Sequence, residues 1–287
     1  MVTLPAEGRW LIRPLSDDGV AEAIAFLRRD PLINIYLLSR LTEEKSAVAT
    51  QIFSVQHNRQ IVLLASLATN IVLAGDATVA AEVTETAIAL VADRILTRML
   101  PVRAIISPAA LVERLWTHLR MRIDPPTVVR MNQPIYAIPR QLGFPDLTES
   151  RFATMRDLDH LVPACAAMHK EEVGIDPLLR DAVGYRERIR ELIEKQRAIV
   201  RIVDGLIVAK CEFSAVTDDA VQLMGVWTSP LCRRHGYARE LLREVCGHLF
   251  RKGKAVTLFV NDFNAPAIAL YENLGFQKIG TNRALIW

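Results

Sequence analysis

The chain has 287 residues, with 35 lysines and arginines against 32 aspartates and glutamates, for a formal net charge of +3. This near balance lacks the broad positive field of proteins that bind polyanions, so DNA and RNA are not expected partners. The length suits two domains, each large enough to bury its own hydrophobic core.

The cysteines and the apolar segments of the chain indicate the cellular compartment in which the protein is expected. The chain has four cysteines: Cys165, Cys211, Cys232 and Cys246. They form no C-x-x-C pair and are too sparse for a disulfide scaffold, so we expect reduced thiols, no metal site and a cytoplasmic location. Residues 1–10 lack the basic and apolar segments of a signal peptide. The most apolar window, 61–75, is too short and polar to cross a membrane, and two strands around a turn at Thr69-Asn70 fit it better.

The apolar periodicity of the first half predicts a strand, two helices, a strand-rich stretch, a long helix, a strand and a final helix. In chain order these are residues 10–13, 18–29, 30–41, 52–74, 79–99, 103–106 and 108–119. Residues 134–145 contain three prolines and a glycine, which disfavour both helix and central strand. This stretch is therefore the expected linker, with a domain boundary that separates residues 1–146 from 147–287.

The second half repeats this order with clearer periodicity. The predicted elements are a strand at 151–155, helices at 158–171 and 177–194, strands at 199–203, 206–213 and 221–227, a helix to 250, a strand at 255–260 and a last helix. The sequence Asp30-Pro31-Leu32 parallels Asp176-Pro177-Leu178. Trp116 in the first half stands where Tyr271 stands in the second. These echoes predict an internal repeat.

The loop after strand 221–227 combines the parts of an anion cradle. Its residues are Arg233, Arg234, His235, Gly236, Tyr237 and Ala238. Two arginines supply positive charge, and Gly236 permits a positive φ or a close approach of the backbone. The helix that begins there presents unpaired N–H groups at the positive end of its dipole. Those parts suit a pyrophosphate, and a basic surface cap on the helix is the alternative interpretation.

A second block follows the next strand and predicts the last helix. It reads Asn264-x-x-Ala267-x-x-Leu270-Tyr271-Glu272-x-x-Gly275-Phe276. Asn264 suits a helix cap, and Gly275 suits a helix stop. Together with Arg233-x-x-Gly236-x-Ala238, this block resembles the signatures of the GNAT N-acetyltransferase superfamily. The resemblance implies an α+β (mixed α/β) fold of two tandem GNAT-like domains. Each is a mostly antiparallel mixed sheet flanked by helices, with a splayed strand pair in the C-terminal domain.

The resemblance also implies a reaction. Acetyl-CoA is the expected co-substrate, and the primary amine of a small molecule or peptide attacks it directly in a ternary complex. Loop 233–238 is assigned to the pyrophosphate. The backbone of Gly225, Val226 and Trp227 is assigned to the pantetheine arm, where one N–H would polarise the thioester carbonyl. A fully paired core strand is the alternative for that segment.

The catalytic assignments follow the same resemblance. Tyr271 is the expected general acid, because a phenol can share its proton with a departing thiolate, and a core tyrosine is the alternative. Glu212 shares a strand face with Lys210 and Ser214. It is the expected general base, unless it points into water. Asn264 is expected to bind the pantetheine or phosphate region as well as to cap its helix.

Three residues are expected to contact the acceptor. His169 and Glu172 lie near the end of helix 158–171, whose loop borders the acceptor site in this fold, and a histidine there has a suitable pKa of about 6.5. Surface roles are the alternative for both. Asp262 is either an acceptor contact or a turn former. Cys232 adjoins the loop but has no evident base partner beyond His235, so it is not expected to act as a nucleophile.

The first half differs where the chemistry would occur. Residues 75–78 read Gly-Asp-Ala-Thr, without arginine or glutamine, and Asp76 would repel phosphate. Trp116 has only an indole N–H to donate. We therefore expect domain 1–146 to be non-catalytic. A non-catalytic acyl-CoA-binding regulatory or interaction protein is the alternative function, and neither the acceptor amine nor the oligomeric state follows from the sequence.

Overall fold

The computed structural model describes residues 8–43, 51–140 and 143–287. The chain divides into two compact units. The first comprises the described residues up to Tyr136 together with Phe259–Ile268 and Lys278–Trp287. The second comprises the described part of Ala137–Leu258 and Ala269–Gln277. Two C-terminal segments thus belong to the first unit, and the division of function at residues 146 and 147 stays a prediction.

The described residues form a series of strands and helices. The strands are β1 (Trp10–Pro14), β2 (Ile52–His57), β3 (Gln60–Leu67), β4 (Asn70–Gly75), β5 (Ala104–Pro108), β6 (Val128–Ile138), β7 (Ser150–Phe152), β8 (Ala198–Val203), β9 (Leu206–Val216), β10 (Ala220–Thr228), β11 (Ala255–Phe259) and β12 (Gln277–Ile286). The helices are α1 (Asp17–Leu27), α2 (Ile35–Glu43), α3 (Ala81–Thr97), α4 (Ala109–Leu119), α5 (Leu158–Val173), α6 (Pro177–Glu194), α7 (Tyr237–Arg251) and α8 (Ala265–Asn273).

The sheet of the first unit has the strand order β1-β2-β3-β4-β5-β12-β6. Its neighbours β1 to β4 pair antiparallel, whereas β4 and β5 pair parallel. Two apolar clusters flank it. One contains Ile88 and Val91 of α3 with Leu115 of α4, and the other contains Phe26 of α1 with Leu38 of α2. Because β3 is buried along almost its whole length, its sequence is a continuous apolar run rather than an alternating one.

The sheet of the second unit has the order β11-β10-β9-β8-β7. Strands β7 to β10 pair antiparallel, and β10 pairs with β11 in parallel. Helices α5 and α6 share an apolar cluster with β8 and β9 that includes Leu161, Ile189 and Val200. Helix α7 packs against β8, β9 and β10, and its buried residues include Leu242 and Val245. This sheet and these helices position the site described below.

Most predicted elements are present, and three expectations need correction. The predicted linker is wrong for residues 134–138, which belong to β6. Proline has no N–H to donate within a sheet. Pro134 still pairs in the strand through its carbonyl, which accepts a hydrogen bond from the N–H of Val260 at 3.1 Å. Apolar burial of Ile135 and Ile138 adds to this. Residues 141 and 142 of the predicted linker lie outside the described residues.

Two elements have other ends than predicted. The strand predicted at 151–155 ends at Phe152, and a 3₁₀ turn follows at Met155–Asp157. The carboxylate of Asp157 accepts hydrogen bonds from the N–H and hydroxyl of Thr154, which turns the chain there. The helix predicted at 30–41 begins only at Ile35, after a turn. Among the described residues, no helix has both the length and the apolar character needed to cross a membrane.

Candidate functional site

Strand β10 is interrupted at Gly225. In its antiparallel pairing with β9, Met224 lies opposite Glu212, and Trp227 lies opposite Lys210. Between these two pairs β10 has one residue more than β9, so Gly225 and Val226 form a bulge. Gly225 has φ +58°, a left-handed conformation that favours glycine. The parallel register with β11 ends at Leu223, although β10 continues to Thr228. The strand therefore bulges at the point where β10 and β11 part, and this is the splayed pair expected from the sequence.

The loop that follows β10 leads into the N-terminus of α7. Pro230–Cys232 form a 3₁₀ turn, and Arg234 and Gly236 have φ values of +65° and +85°. Gly236 is the N-cap of α7 and provides no side chain to cap the helix. A Cβ atom built on Gly236 would meet nothing nearer than Glu240 Oε1 at 3.8 Å. The space beside Gly236, at the N-terminus of α7, is therefore open.

The charged groups of this loop are exposed. Arg233 forms an ion pair of 2.6 Å with Glu171 of α5, and its Nε donates to the carbonyl of Thr228 at 3.3 Å. Arg234 has no ion pair with any residue that the structure describes. His235 Nδ1 donates to the carbonyl of Arg233 at 2.9 Å, and its ring stacks on that of Tyr237. The cations lie beside the positive end of α7, an arrangement that favours an anion.

A partly buried network holds the start of α7 against the sheet. Arg201 of β8 binds Glu240 at 2.9 Å and Glu244 at 3.5 Å, and its guanidinium lies over the ring of Tyr237. Glu244 accepts hydrogen bonds from Thr148 and from the N–H of Ser150. Burial acts to raise the pKa of Glu244, but these hydrogen bonds outweigh it and lower the pKa. This network is not recognisable in the sequence because its members are far apart in the chain.

Glu212 lies directly beneath the bulge. It is 2% exposed and forms an ion pair of 2.6 Å with the fully buried Lys210. Lys210 Nζ also donates to the carbonyl of Gly225 at 3.0 Å, and a Cβ atom on Gly225 would come within 3.0 Å of the Glu212 carboxylate. The alternative that Glu212 points into water is therefore wrong. Whether it acts as the base stays a prediction.

The pair is ionised. Burial opposes the charges of both Glu212 and Lys210, but their mutual attraction and hydrogen bond prevail, so the pKa of Glu212 is lowered and that of Lys210 is raised. Cys165 of α5 donates its thiol to Glu212 at 3.3 Å, and burial raises the pKa of this thiol to about 12. The sequence placed Lys210 on the same strand face as Glu212 but did not show that they meet.

Tyr271 is 6% exposed, and its ring packs 5.8 Å from that of Phe276. Burial raises the pKa of the phenol, and the negative charge of Glu172 adds to this effect. The hydroxyl therefore keeps its proton at any ordinary pH and can donate a hydrogen bond to a sulfur, although the raised pKa makes it a weaker acid than a free phenol. Packing in the core and donation to a sulfur are compatible roles for this side chain.

His169 is partly buried where α5 packs against α6. Its ring meets that of Tyr185 of α6 edge-on at 6.3 Å, and Arg188 lies over the same tyrosine ring at 5.9 Å. Burial and the charge of Arg188 lower the pKa of His169, so the imidazole is neutral near pH 7. Glu172, at the end of α5, is exposed. Tyr185 and Arg188 were not predicted as site residues, because only the packing of α6 on α5 brings them to His169.

Asn264 and Asp262 belong to the first unit. Asn264 caps α8, since its side-chain oxygen accepts from the N–H of Ala267 at 3.3 Å. Asp262 is exposed in a turn, and its N–H donates to the carbonyl of Asn132 at 3.2 Å. Both positions agree with the cap and turn roles, and their roles toward a coenzyme or an acceptor stay predictions.

The first unit contains a cavity of about 910 Å³ at the end of β4, lined by Gly75, Thr78 and Leu111 among others. Asp76, at its edge, accepts from both the N–H and the hydroxyl of Thr78 and forms an ion pair with Arg29. These interactions lower the pKa of Asp76, and the hydrogen bonds from Thr78 contribute most. The acidic loop is thus partly neutralised within the unit. Across the described ranges, no cluster of three or more His, Cys, Asp or Glu side chains is placed to hold a metal ion.

The comparisons with known proteins agree with the geometry of the second unit. A model of the Acetyltransferase (GNAT) family matches residues 166–276, which include the bulge, the loop and Tyr271. Residues 166–276 form a GNAT acetyltransferase domain. This GNAT domain follows residues 51–161, which match a domain family of unknown function, DUF4081.

Solved structures resemble nearly the whole chain. A GNAT-family acetyltransferase from Colwellia psychrerythraea is 13% identical, with 97% of this chain and 100% of that one covered, at a TM-score of 0.61. A GCN5-related N-acetyltransferase from Sphaerobacter thermophilus is 16% identical, with 98% of this chain and 96% of that one covered, at a TM-score of 0.60. A tandem GNAT protein from the clavulanic acid biosynthesis pathway is 13% identical, with 97% of this chain and 98% of that one covered, at a TM-score of 0.56. The predicted mixed α/β fold with GNAT-like halves is confirmed.

One curated relative matches part of the chain. Mycothiol acetyltransferase from Brachybacterium faecium is 38% identical over 77 residues, which are 26% of this chain. The match spans 23% of that protein's length. It therefore supports acetyl transfer as the class of reaction and leaves the acceptor to be proposed.

Proposed function

We propose that the protein is an N-acetyltransferase in which a primary amine attacks the thioester of acetyl-CoA directly, within the second unit. One observation carries the proposal. The bulge at Gly225 opens β10 beside a helix N-terminus whose loop presents Arg233 and Arg234. An open backbone edge suits an extended amide-containing arm, and the loop suits a pyrophosphate. The family match supports the same donor.

In this proposal the chain's own residues divide the work. Acetyl-CoA supplies the activated acetyl group. Loop 233–238 binds its pyrophosphate through N–H groups and arginines, which requires Arg233 to exchange Glu171 for phosphate oxygens. The backbone N–H groups near Gly225 orient the thioester and polarise its carbonyl. Tyr271 donates a hydrogen bond, and then a proton, to the departing sulfur.

Two residues compete as the group that receives the ammonium proton. Glu212 is the carboxylate nearest the bulge, but its ion pair with Lys210 weakens it as a base. His169 is neutral at pH 7 because burial and Arg188 lower its pKa. We keep Glu212 as the proposed base. A His169→Gln variant with nearly unchanged kcat supports that assignment, whereas a loss at least as large as that of Glu212→Gln transfers the role to His169.

Acetyl-CoA is expected to bind with one site per chain. Only the second unit presents Arg233 and Gly236 before a helix, whereas the corresponding loop of the first unit contains Asp76. Isothermal titration calorimetry measures the stoichiometry. Two equivalent sites would contradict the prediction and would assign a second molecule to the cavity at the end of β4.

The variant Gly236→Val is expected to abolish acetyl-CoA binding. The φ of +85° strains any residue with a Cβ, most of all a β-branched one, and the added side chain stands over the helix N-terminus. Gly253→Val is a matched control, since Gly253 also has a positive φ but lies beyond the other end of α7. Calorimetry on folded Gly236→Val protein with unchanged affinity would refute the placement.

A panel of primary amines, assayed by release of free coenzyme A thiol, tests the reaction itself. Amine-dependent release supports the transferase. Tight acetyl-CoA binding without turnover for any amine would instead support the alternative of a non-catalytic acyl-CoA-binding protein.

A further inference from the structure

Arg188 differs from the two arginines nearest to it on α6. Arg186 forms an ion pair with Asp159, and Arg190 forms ion pairs with Glu187 and Glu194. In the ranges that the structure describes, no carboxylate lies within ion-pair distance of Arg188. Its guanidinium instead lies 5.9 Å from the ring centroid of Tyr185. The exposed cation is thus held in place by an aromatic face and keeps its hydrogen-bond donors for another partner.

The position of Arg188 is set by the fold of α6. Asp181 interrupts the helix with an extended backbone, and its carboxylate accepts from the N–H of Gly184 at 2.8 Å. The helix that restarts there packs Tyr185 against His169 of α5. Arg188 follows one turn later, and its guanidinium lies over Tyr185 beside the face where α6 meets α5.

This face borders the base candidates of the proposed reaction. The charge of Arg188 lowers the pKa values of both His169 and Glu212. The charges of Lys210 and Glu212 neutralise each other, and Lys170 is paired with Asp176 at 4.0 Å, whereas Arg188 has no carboxylate partner among the described residues. Carboxylates are also near, because Glu172 and Asp176 act on His169 in the opposite direction. A ligand at this face therefore meets a cation and carboxylates together.

That pattern matches a zwitterion. An amine acceptor arrives as an ammonium, which the carboxylates attract, and an anionic group on the same molecule would complement Arg188. A guanidinium presents donors in a fork that fits a carboxylate through two parallel hydrogen bonds. A diamine or a simple alkylamine has nothing to place against this cation.

We propose that Arg188 binds the carboxylate of the acceptor, and that the substrates are amino acids or other small primary amines that carry a carboxylate. The proposal rests on the acetyltransferase function proposed above. It makes Arg188 a specificity-determining residue of the GNAT domain and places the acceptor on the α5–α6 side of β9.

The test compares amino acids with their own carboxamides, which keep the amine and the side chain but lose the negative charge. Both are assayed with the wild type, Arg188→Met, Arg188→Lys and the matched control Arg186→Met. The wild type is expected to prefer the best amino acid over its amide by roughly 10- to 100-fold in kcat/KM, the range of one charge-assisted hydrogen-bonded pair. Arg188→Met should remove that preference mainly through KM. Arg188→Lys should restore part of it, and Arg186→Met should leave it unchanged.

A binding readout separates this proposal from the proposed reaction. Calorimetry with the same amino acid, without acetyl-CoA and then in the presence of free coenzyme A, measures the carboxylate contact even if no turnover occurs. Amino acid binding that is weakened 10-fold or more in Arg188→Met supports the contact. A preference that survives in Arg188→Met, an equal loss in Arg186→Met, or a wild type that binds amide and acid alike overturns it.

Discussion

Replacement of Tyr271 by phenylalanine is expected to lower kcat by roughly 10²- to 10⁴-fold, the usual range for a lost acid-base group. The substitution keeps the ring and its packing against Phe276, so the affinity for acetyl-CoA should change little. Burial raises the pKa of the phenol, so the proton is on the oxygen when the thiolate begins to form. Its contribution therefore belongs to the transition state rather than to ground-state binding.

Single-turnover kinetics with the best acceptor amine measures the chemical step, and calorimetry measures acetyl-CoA affinity. Tyr185→Phe is a matched control, because Tyr185 is a partly buried tyrosine of the same unit that packs on His169 instead. A Tyr271→Phe variant with near-normal kcat, while chemistry limits the rate, would show that Tyr271 serves only the core and that water protonates the sulfur.

The second large effect concerns stability. Lys210→Met is expected to lower the free energy of unfolding by about 3–5 kcal/mol, because it leaves the buried carboxylate of Glu212 without its counter-charge. It also removes the hydrogen bond to the carbonyl of Gly225 at the bulge. Urea unfolding followed by circular dichroism measures the change.

Two further measurements separate charge from packing. The double variant Lys210→Met/Glu212→Leu should recover most of the lost stability, because replacing both members of a buried pair by apolar side chains is often neutral. The pH dependence should also reverse. In the wild type the lowered pKa of Glu212 adds stability above its unfolded pKa, which is lost on acidification. In Lys210→Met the unpaired carboxylate has a raised pKa, so this variant should gain relative stability as the pH falls. A double variant as unstable as the single one would contradict the argument.

The sequence by itself determined the local features of this protein. Helix α6 was predicted with its observed bounds because Pro177 starts it and the side chain of Asp176 accepts from the N–H of Leu178 at 3.0 Å. The loop from Arg233 to Gly236 and the start of α7 were recognisable from the two arginines and the glycine that precede an apolar periodic stretch. Capping, glycine conformation and apolar periodicity act between residues a few positions apart, and such spacings are readable in a sequence.

Tertiary structure alone decided which groups meet. Glu212 was expected either in the cleft or in water, and only the register of β9 with β10 places it under Gly225 with Lys210. Neither β6 nor β12 was predicted. Strand β12 lies beside β5, with Asn282 opposite Pro108, a pairing between residues far apart in the chain. Sheet partners and helix faces are selected by the burial of whole surfaces, so no local pattern of residues specifies them.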